Sequence, residues 1–118
     1  MAKQGKVWGE TEEIFNNGTV SVNVLKIRRG GYCSEHQHAQ KTNLFHIISG
    51  KLSISQWRGC SEGEGPDLTV LCGGQSTLVP IGVWHKFQAI EDTLCIEIYA
   101  VKINGDDITR RNQGGSEK

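Results

Sequence analysis

The sequence has few of the features that mark membrane, fibrous or nucleic-acid-binding proteins. It contains two prolines and one methionine in 118 residues, and no apolar run approaches the roughly 18 residues that a membrane helix requires. Its 13 basic and 13 acidic residues cancel to a formal net charge of +0. The chain therefore lacks the overall positive field that attracts phosphate backbones. We expect no membrane and no nucleic-acid partner.

The first residues carry positive charge with no apolar segment after them, so they do not resemble a secretory signal. The four cysteines, Cys33, Cys60, Cys72 and Cys95, include no pair at C-x-x-C spacing. Without a secretory signal, these residues are expected to be reduced thiols, because the cytoplasm keeps thiols reduced. The sequence therefore predicts a cytoplasmic protein.

Glycine is the abundant residue, with 15 in 118, nearly twice the usual share of about 7%. With two prolines and no Gly-X-Y period, this excess indicates many tight turns. No segment shows the 3.6-residue apolar period of an amphipathic helix. The pattern instead predicts about nine short strands, among them Thr19–Arg28, an extended segment at Tyr32–His38, Asn43–Ser49, Lys51–Trp57, Asp67–Cys72, Ser76–Val79, Trp84–Ile90 and Thr93–Val101.

Two local features refine this strand pattern. The first strand has its valines on one face and then Leu25 and Ile27 on the other, as a β-bulge would produce. The Ser49-Gly50 turn predicts a hairpin between the strands on either side of it.

The length fits one domain, and short strands at this close spacing favour an all-β sandwich or barrel. We expect a single domain over residues 1–118, with a core at about 19–103. The polar tail at 104–118 is predicted to be frayed.

Three of the four histidines stand in a pattern that suits a metal ion. His36 and His38 are two residues apart on an extended segment, so their side chains leave the same face of the chain. His85 follows a Pro-Ile-Gly turn at the start of a later strand. Neutral imidazole nitrogens are common ligands of divalent transition metals. The three histidines therefore predict a mononuclear site built from separate strands.

The residues around these histidines resemble the two motifs of the cupin family. Residues 30–50 resemble G-x5-H-x-H-x4-E-x6-G, and residues 74–89 resemble G-x5-P-x-G-x2-H-x3-N, although Asn43 and Ala89 replace the family's Glu and final Asn. Agreement in both motifs is a far more specific signal than a lone His-x-His. The matching positions are Gly30, His36, His38, Gly50, Gly74, Pro80, Gly82 and His85.

The resemblance implies an antiparallel jelly-roll barrel that holds a divalent transition metal, such as Fe, Zn, Mn or Ni, near one mouth. His36, His38 and His85 match the family's three histidine ligands, and Asn43 could add an amide oxygen in place of the family's Glu. Without that carboxylate a bound ion keeps its full positive charge, which weakens binding but makes a bound water more acidic.

A narrower resemblance is to the cupin domain of bacterial phosphomannose isomerases and related sugar-binding cupins. It rests on the run GYCSEHQHAQKTNLFHIISGKL at residues 31–52 and on Ile96-Glu97-Ile98-Tyr99. The strand in those proteins ends in a comparable Ser-Gly turn, and a basic residue stands where Lys41 does here. This resemblance implies a carbohydrate-related ligand.

Two classes of function fit this sequence. The first is a small-molecule metalloenzyme. It would be either an Fe(II) dioxygenase, with substrate and O₂ at open coordination positions, or a sugar isomerase or epimerase, in which the metal polarises a carbonyl while a nearby base moves a proton. The second class is a non-catalytic cupin module that binds a sugar or another metabolite. The identity of the native metal separates the oxygenase from the isomerase.

Strand parity suggests further residues of the pocket. Glu97 and Tyr99 face one way on the last strand and are candidates for a general base or a substrate hydrogen-bonding group. His46, three residues after Asn43, is predicted to face the other way from it. The candidates for lining the pocket are Tyr32, Ser34, Phe45 and Phe87, of which the two phenylalanines also suit the barrel core.

The resemblance also implies a homodimer, since small cupins commonly pair through a sheet face. A domain of this size buries little surface alone, so pairing would add stability. Trp8 and Phe15 are the candidate interface residues, and packing beneath their own sheet is the alternative.

Overall fold

The computed structural model describes residues 3–59 and 65–101 of the chain. Cys60 and the tail at 104–118, which the sequence predicts to be frayed, lie outside the described residues. Every strand pairing in the described part is antiparallel. The nine strands are β1 (Lys3–Lys6), β2 (Gly9–Asn16), β3 (Val20–Ile27), β4 (Thr42–Ser49), β5 (Lys51–Trp57), β6 (Asp67–Cys72), β7 (Ser76–Val79), β8 (Trp84–Ala89) and β9 (Thr93–Ala100).

The strands form two sheets that enclose one core. The large sheet has the order β1-β2-β3-β9-β4-β7, and the small sheet has the order β6-β5-β8. This arrangement confirms the predicted all-β, antiparallel jelly-roll architecture. Within the described ranges, no helix has the length and apolar character needed to cross a membrane.

From β3 onward the predicted strand bounds agree with the structure to within one residue. Sequence analysis assigned no strand before residue 19, whereas β1 and β2 occupy that region as an antiparallel pair at the edge of the large sheet. Their sequences, KQGK and GETEEIFN, are mostly polar. The alternation of apolar and polar residues that identifies a half-buried strand is therefore missing there.

The bulge predicted in β3 is absent. The pairing with β9 runs without interruption from Val20 opposite Ala100 to Ile27 opposite Thr93. Leu25 and Ile27 point into the core, and the valines point outward and are half-buried. The apparent shift in the sequence arises because β3 is apolar on both faces.

The hairpin predicted at Ser49-Gly50 is also wrong. β4 pairs with β7 and β9 in the large sheet, whereas β5 pairs with β6 and β8 in the small sheet. The chain therefore crosses between the sheets at Gly50, whose φ is +94°. Two apolar strands on either side of a turn do not reveal whether they pair with each other or with other strands.

The segment predicted to be extended at residues 32–38 runs antiparallel to β8 but forms only isolated bridges. One of them pairs His36 with His85: the His36 N–H donates to the His85 carbonyl at 3.0 Å, and the His85 N–H donates to the His36 carbonyl at 2.8 Å. Side chains directly opposite each other in such a pair lie on the same face. The bridge thus sets two imidazoles side by side.

The interior changes from apolar to polar along the strands. Register places Ile47 beside Cys95 and Leu52 beside Ala89 toward one end. The buried side chains toward the other end are mostly polar, and the pairing of strands places them close together. They are Asn23, Asn43, Gln56, His85 and Glu97. The candidate site lies in this polar end.

Candidate metal centre

The structure brings together the three histidines that the sequence predicts as ligands. One ligand nitrogen from each of His36, His38 and His85 lies within 4.8 Å of the other two. The ring centroids of His36 and His85 are 4.4 Å apart, and that of His38 lies 5.0 Å and 5.3 Å from them. Three imidazoles at this separation can converge on a single ion.

Backbone carbonyls fix which nitrogen is free on two of these rings. The Nδ1 atom of His36 lies 2.7 Å from the Ser34 carbonyl, and the Nδ1 atom of His85 lies 3.0 Å from the Val83 carbonyl. A carbonyl only accepts, so each Nδ1 carries the hydrogen and each Nε2 keeps a lone pair. This arrangement orients metal-binding histidines in many proteins.

The protonation state of the rings also suits metal binding. Burial, reinforced by nearby positive charge, lowers the pKa of His38 to about 4. Burial likewise lowers the pKa of His85, although the hydrogen bond to the Val83 carbonyl opposes part of that effect. Both rings are therefore neutral at pH 7, which is the form that coordinates a metal.

Two buried polar atoms at the site have no hydrogen-bond partner. They are Nε2 of His38 and Oδ1 of Asn43. Buried polar atoms without a partner are rare, and each calls for an explanation. A divalent transition metal accepts both imidazole nitrogen and amide oxygen as ligands, so the residues present fit such an ion.

Asn43 connects the histidines to a buried carboxylate. Its Nδ2 donates to Oε2 of Glu97 at 3.0 Å and lies 3.5 Å from Nε2 of His85. Burial raises the pKa of Glu97, and hydrogen bonds from Asn43 and Tyr99 offset only part of the rise. A carboxyl group therefore lies behind the position where the cupin motif has Glu, supplied by β9 instead of β4.

A cavity of about 290 Å³ adjoins these groups and includes His36 in its lining. Among the residues predicted to line the pocket, Ser34 and Phe87 do so. Tyr32 is 60% exposed and lines an adjoining cavity, and Phe45 is 1% exposed and packs in the core. The candidates Glu97 and Tyr99 both line the cavity.

Sequence reasoning missed several residues of this cavity, namely Lys6, Trp8, Thr11, Asn23 and Cys33. The sequence did hold a signal for Asn23. This polar residue alternates in step with Leu25 and Ile27, whose side chains point into the core. Lys6 and Thr11 had no comparable signal, because the mostly polar sequences of β1 and β2 do not alternate between apolar and polar residues.

The remaining histidine lies outside this arrangement, and of the cysteines that the structure describes only Cys33 lines the cavity. His46 lies on the outer face of β4, with its Nδ1 2.6 Å from the Ser76 hydroxyl. Cys33, Cys72 and Cys95 are free thiols. Burial raises the pKa of Cys33 to about 11, so its thiol is protonated at neutral pH and is a poor nucleophile.

Comparison with known proteins gives a clear family match. The sequence model of the family described as Cupin matches residues 4–116. No curated protein matches the sequence significantly.

Solved structures share the fold at low sequence identity. KdgF from Halomonas sp. has a TM-score of 0.71 and 19% identity, covering 87% of this chain and 90% of that one. The Cnp3 cupin domain from Schizosaccharomyces pombe has a TM-score of 0.72 and 13% identity, covering 86% and 69%. A variant of Bacillus subtilis oxalate decarboxylase has a TM-score of 0.72 and 14% identity, covering 85% of this chain and 27% of that one. At such identities the likeness concerns the fold.

Proposed function

Since the chain belongs to the cupin family, we propose that it is a metal-dependent enzyme acting on a small molecule. In this proposal His36, His38 and His85 hold one divalent transition metal, and Asn43 adds its amide oxygen. The observation that carries the proposal is the convergence of three imidazole nitrogens beside two buried polar atoms that have no partner. A bound metal at this position would polarise a substrate oxygen.

The chain supplies a proton-transfer group next to this centre. Glu97 is 8% exposed and lines the same cavity as His36. Burial raises the pKa of Glu97 above that of an ordinary carboxyl, and an upward shift of this kind is typical of carboxyl groups that transfer protons in enzymes. Asn43 holds this carboxyl in place through its hydrogen bond, and Tyr99 lines the same cavity. Isomerase or epimerase chemistry is therefore the reaction class that the residues support best.

The substrate class follows from the sequence resemblance to sugar-binding cupins and from the cavity. A volume of about 290 Å³ is near the lower end of the roughly 300–1,000 Å³ typical of ligand pockets, so it suits a small molecule. We propose a sugar or sugar derivative with a carbonyl group.

The test combines metal analysis with a proton-exchange assay. We expect untagged protein to contain or take up one Zn, Mn or Ni ion per chain. The loaded protein should then exchange the proton beside the carbonyl of a sugar for deuterium in D₂O. The Glu97→Gln variant should keep its metal and lose at least about 100-fold in exchange rate, within the range expected for a general base. Glu12→Gln, on the peripheral strand β2, is the matched control and should change neither.

Other results would replace this proposal. Stoichiometric iron with substrate-dependent O₂ uptake would make the protein an Fe(II) dioxygenase instead. Metal uptake with neither reaction would leave a non-catalytic binding module, and no metal uptake at all would overturn the metal centre.

We also propose that the protein is a homodimer, because the outer face of the large sheet is apolar across five strands. Cross-strand neighbours form one apolar row from β2 to β7. Phe15 and Leu78, at its two ends, are each 47% exposed. Contiguous apolar surfaces of this kind usually mark an interface. The row consists of Phe15, Val22, Ile98, Leu44 and Leu78.

Trp8 was the other residue suggested for the interface. Its ring packs instead against Phe87 of its own chain, with ring centroids 5.1 Å apart.

The variant Leu44→Lys should convert this dimer to a monomer. Pairing about a two-fold axis would bury the new ammonium group together with its symmetry mate, without a partner for either charge. Sedimentation velocity measures the change. Val70→Lys is the control, since Val70 is 46% exposed on the small sheet. A monomeric wild-type protein, or a dimer that persists in the Leu44→Lys variant, would contradict the proposed interface.

A further inference from the structure

The cavity at the histidines adjoins a second, larger one. The inner cavity of about 290 Å³ and an outer cavity of about 640 Å³ share four lining residues: Lys6, Trp8, Cys33 and Ser34. Because the two cavities share this wall, they adjoin. A ligand that binds at the histidines and is longer than the inner cavity would therefore reach toward the outer cavity, which we call the vestibule.

The vestibule is cationic. Lys6, Arg28 and Arg29 line it, and none of the acidic residues that the structure describes does. The salt bridges in the described part of the chain lie elsewhere, on Lys26 and Lys51. Within residues 3–59 and 65–101, no carboxylate forms a salt bridge with the three cations of the vestibule, so their charge can attract an anionic ligand.

Local hydrogen bonds hold parts of this charged surface in place. One guanidinium nitrogen of Arg28 donates to the Val7 carbonyl, and the remaining N–H groups are available to a ligand. The Arg29 backbone N–H donates to the Asp92 carboxylate at 2.8 Å. That carboxylate lines a neighbouring cavity, and its charge offsets only part of the positive charge that the three cations bring to the vestibule.

Aromatic side chains form the remaining walls. Trp8 separates the two cavities, and Tyr32 is 60% exposed in the vestibule. The Lys86 ammonium lies 4.8 Å from the centroid of the Tyr32 ring and adds positive charge nearby. These rings offer apolar surface to the carbon skeleton of a ligand, as aromatic walls do in many small-molecule sites.

On the premise of the proposed metal centre, we infer that the substrate is a small organic anion with two functional ends. One end carries the oxygen group that binds at the histidines. The other end carries a carboxylate or phosphate that lies in the vestibule among Lys6, Arg28 and Arg29. Complementary charge of this kind gives specificity. The three cations thus select the substrate by its charge.

The test uses metal-loaded protein and linear dicarboxylates from malonate to suberate, each compared with the monocarboxylate of equal chain length. Isothermal titration calorimetry should show at least about a tenfold preference for the dicarboxylate at one or more lengths, as expected for charge-assisted hydrogen bonds. Phosphonocarboxylates of the same lengths form a second arm, which tells whether carboxylate or phosphate fits better. The double variant Lys6→Gln/Arg29→Gln should lose this preference and keep its metal. The control Lys3→Gln/Lys51→Gln removes the same charge outside the vestibule and should retain the preference.

No preference at any length, or a preference that survives in the Lys6→Gln/Arg29→Gln variant, overturns the inference. A second readout separates this failure from failure of the metal centre. Inorganic phosphate should change the Trp8 fluorescence of metal-free protein, and the signal should vanish in Trp8→Phe and weaken at least about tenfold in the double variant. If the protein takes up no metal, this titration still decides the vestibule: the expected signal supports anion binding there, and its absence overturns it.

Discussion

Replacing His85 with Ala should abolish stoichiometric metal binding, with a loss in affinity of at least about 100-fold. Altering a group that merely orients a metal ligand typically costs about 10–100-fold, and His85 supplies a ligand nitrogen itself. The remaining pair, His36 and His38, would leave the ion with two neutral nitrogen ligands. The protein offers a matched control in His46→Ala, because that ring lies outside the site on the outer face of β4.

Two measurements check this expectation. The first is elemental analysis of dialysed protein, in which the His46→Ala variant should keep one metal per chain. The second is the rise in unfolding free energy on adding metal, which for a bound ligand at 100 times its Kd is about 2.7 kcal/mol. Wild type and His46→Ala should show this rise, and His85→Ala should not.

The burial of His85 requires a second variant. This ring is 1% exposed, so its removal also leaves a cavity that destabilises the metal-free protein. His36 is only partly buried, and His36→Ala should lose the metal at a smaller cost in metal-free stability. Full metal retention in both variants would show that these histidines are not the ligands.

Gly50→Ala should be strongly destabilising, with a loss of about 3 kcal/mol or more in unfolding free energy. Gly50 has φ +94°, where an alanine is strained. A Cβ atom there would lie 2.2 Å from the Asp92 carbonyl oxygen and 2.8 Å from Cα of Thr93. The chain crosses between the sheets at this point, so the backbone on both sides has little freedom to move.

Gly18→Ala provides the comparison that isolates the steric contribution to the loss of unfolding free energy. Gly18 has a similar φ of +88°, but a Cβ atom there meets nothing within 4 Å. Only the conformational cost of about 1–2 kcal/mol applies. Urea unfolding of both variants gives the two values. Equal losses would show that the close approach at Asp92 relaxes without cost.

Failure of the Gly50→Ala chain to fold would be the extreme form of the expected result. Metal binding should weaken along with the fold. Asn43 lies on β4 in the large sheet, and β5 pairs with the strand of His85 in the small sheet. A Gly50→Ala protein that folds should therefore also bind metal more weakly than the Gly18→Ala protein.

The sequence by itself determined the strands from β3 to β9 and the three histidines of the candidate centre. Alternating apolar residues mark these strands, since each buries one face. The spacing of His36 and His38 sets both rings on one side of an extended segment, and the second motif adds His85. All of these are local properties of the chain, so they can be read without knowing which strands are neighbours.

Only the tertiary structure decided which strands are neighbours, and with them the rest of the site. The crossing at Gly50 separates β4 from β5, although the sequence around it equally fits a hairpin. The pairing of β4 with β9 brings Glu97 to Asn43, across 54 positions in the chain. Lys6 lines the cavity from the polar edge strand β1, and the sequence of that strand has no apolar pattern from which it could be predicted. Contacts between residues far apart in sequence depend on sheet order and register, and those arise from the packing of the whole core.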